Sequence, residues 1–410
     1  MKIILALFLI LLNTLEALET TDKADSVRHV VDSFGKIEEK SISEVDRLKK
    51  MFKKGKATAQ VKLIYSSAPD VEEPYATAIG GILKYELASY RGFNAGVAAY
   101  LSCDIPFASG EGIKRSTELS SSKGHYAEFG ELYLNYKYEE FNFRAGRQIV
   151  DTPLADTDDI RMIQNSFEAY IATYDLAGFE FMLGRLEKWA GYDAGLDEGW
   201  SKTGEDGTNF GGVVYDNELR FDAWYYNITG MTDAIYIDLG IEHRLNKTTL
   251  LHMVVQYLKE SELNNSGIEA TIYGFLAEVY VWDLNFYYSI NKTEKYEGKE
   301  SFSGFGGGAL FTNMDTTIID EITYDREAIS HVVGMTYLYK NLKLLYAYGD
   351  FVGKENSNGI KAHIIEQNIG MSYSVNKEFK VGALVGLEED KIQAQNSWNR
   401  AQVVLSYNFK

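Results

Sequence analysis

The sequence predicts an all-β fold: a transmembrane antiparallel β-barrel of about 18 strands, with 16 as the alternative count, behind a short N-terminal helical segment. Three observations predict it. From residue 57 onward apolar residues recur with period two. Long and short connections alternate along that whole stretch. The composition holds 29 Tyr and 36 Gly against four Pro. Tyr suits an apolar surface that meets water, and Gly suits tight turns and bends. The mean hydropathy of −0.23 fits such a barrel, because only alternate residues of each strand face lipid.

The elements follow in chain order. Lys2, the apolar run Ile3 to Leu12 and the small residue Ala17 read as a signal peptide over 1–17. The run is too short to cross hydrocarbon, which needs ~20 residues. Residues 18–56 read as a periplasmic helical lead-in. Val27, Val30, Val31, Phe34 and Ile37 recur at helical spacing, as do Ile42, Val45, Leu48, Met51 and Phe52. Such helices serve as a plug or cap on the barrel rim, or as a partner-binding segment.

The barrel occupies 57–410. In the last strand Ala401, Val403, Leu405, Tyr407 and Phe409 oppose Arg400, Gln402, Val404, Ser406 and Asn408. In 218–226, Leu219, Phe221, Ala223 and Tyr225 oppose Glu218, Arg220, Asp222, Trp224 and Tyr226. The same pattern runs through 235–242 and 282–291. Strands of this kind have one apolar and one wet face. Short links fall near Arg91-Gly92, Glu139-Glu140, Ala177-Gly178, Asp216-Asn217, Asn246-Lys247, Val281, Lys340-Asn341 and Asn376-Lys377. Longer ones span 67–75, 102–124, 150–166, 188–209, 228–233, 260–267, 293–327, 352–362 and 389–397. That alternation is expected of an outer-membrane barrel, with short turns on the periplasmic side and long loops outside. A soluble sandwich has no reason for it. Aromatics such as Tyr136, Phe141, Tyr288, Tyr346, Tyr407 and Phe409 fall toward strand ends, where interfacial girdles belong.

The net charge of −18 argues against nucleic acid as a partner. Cys103 is the only cysteine, so no intramolecular disulfide forms. The wet faces supply the residues for selectivity: Asn142, Arg144, Arg220, Asp222, Asp238, Glu242, His252, Gln256, Asp283, Asn285, Lys343, Lys380, Arg400 and Gln402. Both signs occur, which suits a transverse field across a water-filled channel. Arg147 and Arg161 flank the 150–166 loop, which carries Asp151, Asp156, Asp158 and Asp159. Arg147 has the opposite parity to Arg144 and needs a bulge or strand end to point inward. The 293–327 loop has eight Asp/Glu against three Lys/Arg, an acidic mouth that favours cations. No metal-ligand set or cofactor motif is read. Calcium bridging loop carboxylates is the one ion considered, and no spaced calcium loop occurs. His29, His125, His243, His252, His331 and His363 form no recognisable triad spacing, so no enzyme is expected. An adhesin or structural barrel is the alternative to a channel.

Three segments carry a family resemblance. They are Leu48-Lys49-Lys50-Met51-Phe52-Lys53-Lys54-Gly55-Lys56, then Gly146-Arg147-Gln148 with Pro153, Asp159-Ile160-Arg161-Met162 and Phe167, and then Gly306 to Asp315 in the longest loop. In their order and spacing the chain resembles the OprD-type outer-membrane porins, in the branch with a helical lead-in. The resemblance implies an 18-strand barrel, often a homotrimer, passing small hydrophilic solutes and ions. It implies inward-folded loops, with 150–166 as the constriction, and a basic ladder that maps to Arg144, Arg147, Arg161 and Arg185. The ending Tyr407-Asn408-Phe409-Lys410 resembles the strand read by outer-membrane assembly machinery, with Lys410 as a departure from a terminal Phe. Outer-membrane lipid is the surrounding partner.

Overall fold

A computed structural model describes residues 46–68, 73–217, 219–302, 304–393 and 397–409. The predicted signal peptide and the helical pattern at 27–37 lie outside the described residues. Residues 46–53 form a helix, with Leu48 and Phe52 exposed. The helix shares a compact unit with Leu87–Tyr90. There the Ala88 amide donates to the Met51 carbonyl at 3.1 Å and Arg47 Nη1 donates to the Tyr90 hydroxyl at 2.8 Å.

The second unit is a closed antiparallel barrel of 18 strands. They are β1 Lys56–Ser67, β2 Tyr75–Glu86, β3 Phe93–Asp104, β4 His125–Tyr138, β5 Phe141–Gln148 and β6 Ser166–Leu176. There follow β7 Phe179–Ala190, β8 Thr208–Asp216, β9 Leu219–Ile228, β10 Thr232–Arg244, β11 Thr249–Glu262 and β12 Ala270–Val281. The last six are β13 Leu284–Thr293, β14 Ala328–Tyr339, β15 Leu342–Gly353, β16 Ala362–Ser374, β17 Phe379–Asp390 and β18 Asn399–Phe409. Each pairs with its neighbour in sequence, and β18 returns to β1 from Ala59↔Phe409 to Ser67↔Ala401. Closure leaves no edge whose amides would meet lipid unpaired. A further two-residue strand, Ser201–Lys202, pairs only with the end of β7 and stands outside the ring.

The 18-strand reading holds, and 16 does not. The strict alternation of connection length breaks once. The link between β9 and β10 is only 229–231, because the Ile228↔Thr232 pair runs the ladder to the turn itself. The opposite end is tightly turned: Ala177 and Gly178 both have positive φ (51° and 87°), the signature of a type I′ hairpin.

Outward residues are apolar and exposed, for example Leu132, Leu134, Leu183 and Ile369. The inner face departs from the wet face expected of it. Trp224 and Tyr226 point inward and are 5% and 1% exposed. They belong to an apolar cluster with Phe210, Leu258, Ile272 and Phe351 of the wall. Leu154 from the 149–165 loop and Phe305, Ile319 and Ile322 from the 294–327 loop complete it. A smaller cluster joins Ile64, Ala78 and Tyr100 to Leu119 and Met162. Loops therefore pack inside the barrel, and the hydrophobic effect holds them there.

Candidate functional site

The loops 149–165 and 294–327 pack together inside the barrel. Their main chains pair: the Phe305 amide donates to the Leu154 carbonyl at 2.9 Å, and the Asp156 amide to the Phe305 carbonyl at 3.0 Å. The glycines of the 304–308 run permit that approach. Gly306 has φ +106°, and a Cβ there would lie 2.4 Å from the Asp156 carbonyl oxygen.

The 294–327 loop is a strap tied to wall after wall. Ser301 Oγ donates to Glu260 Oε2 at 2.9 Å, and Gln256 Nε2 donates to the Ala309 carbonyl at 2.7 Å. Asn291 Oδ1 accepts from the Thr312 amide at 3.0 Å. Glu366, fully buried, accepts the Thr316 and Thr317 amides at 3.0 and 2.7 Å. Arg400, 1% exposed, binds Asp315 directly. Arg161 Nη1 lies 3.6 Å from the same carboxylate. Lys62 Nζ donates to Asp159 and to the Arg161 carbonyl, each at 2.7 Å. The acidic loop thus folds into the lumen instead of standing as an external mouth.

Between the loops and the β8–β10 wall is a cavity of about 320 Å³. Asp151, Asp156, Asp222 and Asp238 line it, with Arg220 as its only cation among the described residues. Arg220 is shared: Nη2 donates to Asp222 Oδ2 at 2.8 Å and Nε is 3.4 Å from Asp238 Oδ1. Withdrawal from water, and then the charge of Asp156, raise the Asp151 carboxyl. Nearby, Asp158 is pushed up to about 7, first by desolvation, then by Asp193, with Arg161 opposing.

A model described as outer membrane porin, OprD family, matches residues 94–313. The chain belongs to the OprD family of outer membrane porins. Solved structures show the same fold at low identity. OccAB4 of Acinetobacter baumannii gives a TM-score of 0.76 at 16% identity, covering 87% of this chain and 98% of that one. A structure of OpdK of Pseudomonas aeruginosa with vanillate gives 0.73 at 15%, covering 88% and 99%. A BenF-like porin from Pseudomonas fluorescens gives 0.76 at 14%, with the same coverage. No curated sequence matches the chain.

This OprD-family porin does not assemble the expected basic ladder. Arg144 faces inward, with Nε 3.1 Å from Asn135 Oδ1 and its guanidinium 4.3 Å from the Tyr133 ring centre. Arg147 follows Gly146 (φ +114°) at the end of β5 and lies along the edge of β4, bonded to Glu128, Glu168 and the Phe129 carbonyl. Arg161 is 5% exposed among Asp315 and the Tyr192 ring. Arg185 lies outside the lumen, contrary to expectation. It shares the outward parity of Phe181 and Leu183 and pairs with Glu187 at 2.6 Å. Arg400 is a buried clamp, not a pore-lining cation. Asp283 sits in the turn after β12, where its carbonyl accepts from the Leu338 amide, not in a strand.

Arg220, Asp222, Asp238, Asp151 and Asp156 are brought together. Glu242, Lys343 and Lys380 keep the inward parity of Asp238, Ala347 and Gly386 but lie exposed toward the short-turn end, away from the cavity. Asp158 joins Asp193, and Asp159 is bound to Lys62. His252 bonds Glu278 at 2.9 Å and His363 bonds Asp350 at 2.8 Å. The reading missed Lys62, Glu131, Glu260 and Glu366. All are buried charged residues at inward parity, but only Lys62 stands between two apolar neighbours, Val61 and Leu63, as Asp238 does between Ile237 and Leu239.

Proposed function

We propose that this porin is a water-filled channel for passive diffusion of small hydrophilic solutes and ions, with a preference for cations. The observation that carries the reading is the cavity between the inward loops and the wall: four carboxylates face one shared guanidinium. Rings of acidic side chains select cations by their field in a confined pore. The scattered arginines add no opposing track. The chain works as a homotrimer in outer-membrane lipid, and its last strand, ending in Tyr407-Asn408-Phe409, is the segment that assembly machinery reads. It carries out no catalysis and holds no cofactor.

Reversal potentials in a KCl gradient test this directly. The expected sign is cation-selective, and Asp222→Asn with Asp238→Asn moves the potential toward zero. Anion selectivity of the unaltered channel overturns the reading. A plugged structural barrel is the second reading, favoured by the apolar cluster inside the wall. It predicts no steady open current.

The pH dependence has a definite sign. A carboxyl raised in the folded state stabilises that state fully below its ordinary pKa of ~4 and loses the contribution as pH rises through the folded value. For Asp158 the window closes near pH 7. Cation preference is therefore expected to rise between pH 5 and pH 8, as the Asp158 carboxyl loses its proton. Asp158→Asn should flatten that rise. An unchanged pH profile in the variant would remove Asp158 from the account.

A further inference from the structure

We propose that the cavity between β9, β10 and the two inward loops is a binding subsite for a small organic dication, a diamine with an ammonium group at each end of an apolar stem. The inference rests on the cation-favouring reading above and goes further, naming a class of solute that pauses there.

The charge is unbalanced in a specific way. Arg220 serves two strand aspartates, and its hydrogen bonds go to the Oδ2 atoms. Asp222 Oδ1 accepts no hydrogen bond, and Asp238 Oδ1 has only the Arg220 Nε at 3.4 Å, although these residues are only 5% and 2% exposed. Buried acceptors without donors are rare in folded proteins, and these leave uncompensated negative charge beside the cavity. Across the cavity Asp151 has no cationic partner among the described residues, and its neighbour Asp156 repels it. Two separate negative positions therefore face one space.

Size and distribution select the kind of cation. Among the described residues no three His, Cys, Asp or Glu side chains converge closely enough to hold a metal ion. The charge is spread around about 320 Å³, too open for a point ion and roomy enough for a short chain. The wall between the carboxylates is aromatic. Trp224 and Tyr236 line it, and Trp224 is braced by the Phe210 ring at 6.3 Å and the Tyr226 ring at 6.2 Å. Aromatic faces hold a methylene stem and attract ammonium ends. A carboxylate on the ligand has only Arg220 to meet, and that guanidinium is already committed twice. Carboxylate-free amines are thus preferred over amino acids.

The test is current block of the full-length channel in planar bilayers of dilute KCl. Added probes are 1,5-diaminopentane, pentylamine, lysine and magnesium chloride. The diamine is expected to block at a concentration roughly tenfold or more below each of the other three, equivalent to about 1.4 kcal/mol. Asp222→Asn should raise its half-blocking concentration by a similar factor. Asp151→Asn lies on a loop without an ion pair to lose, so it tests the site even where the strand variant fails to fold. Equal block by diamine and magnesium, tighter block by lysine, or diamine block unchanged in both variants overturns the subsite. A cation-selective channel that no diamine blocks sinks this inference and leaves the channel reading standing. An anion-selective channel sinks both.

Discussion

Arg400→Ala is expected to release the 294–327 strap from the lumen. The substitution removes the cation bound to Asp315 and leaves that carboxylate buried with only the more distant Arg161 nearby. Removing one member of a buried ion pair costs about 3–5 kcal/mol, since the survivor stays desolvated. The barrel ladder is untouched, so the cost falls on the docked strap. Single-channel conductance should rise, and trypsin should cut at Lys295, Lys299 or Arg326 in the folded protein. A double variant, Arg400→Met with Asp315→Leu, removes both charges and should restore strap docking. Conductance and protease resistance unchanged in Arg400→Ala would show that the strap is held by its other ties alone.

Gly81→Ala should prevent normal barrel assembly. Gly81 has φ +135°, and an added Cβ would sit 1.9 Å from the Gln60 carbonyl oxygen on β1. Such a backbone conformation costs about 1–3 kcal/mol for a residue with a side chain, and the clash with a backbone atom adds to it. The position matters because β1 is the strand onto which β18 must close. The folded fraction, read from heat-dependent migration on a denaturing gel, should fall sharply. Gly382→Ala is the control. It has no positive φ, and its nearest contact is 3.7 Å away, so it should fold as the parent does. Equal folding of the two variants would refute the assignment.

The wall was readable because lipid and water impose a period of two on every strand, and the turn end imposes short links. The break at 229–231 was not readable, since Thr232 and Asp233 carry no turn signal that separates them from β10. Arg185 was legible from its parity with Leu183, and only the family resemblance drew it toward the pore. The strap was hidden for a different reason. A loop has no period, and Asp315 finds Arg400 across 85 positions of sequence. Asp222 and Asp238 were visible as charges at inward positions. Their convergence on Arg220 needed the register Asp222↔Asp238, which pairing alone supplies.

The apolar cluster enclosed by the wall means that this molecule folds against two solvents. Outside, side chains such as Leu183 rest in hydrocarbon, where sequestering them from water contributes nothing once the protein is inserted. Inside, Phe305, Ile319 and Trp224 hide from water much as they would in a small cytosolic domain. Apolar sequestration of that kind weakens on cooling, whereas the closed ladder of backbone hydrogen bonds in lipid does not depend on it. The contents of the barrel are therefore sensitive to cold in a way that their container is not.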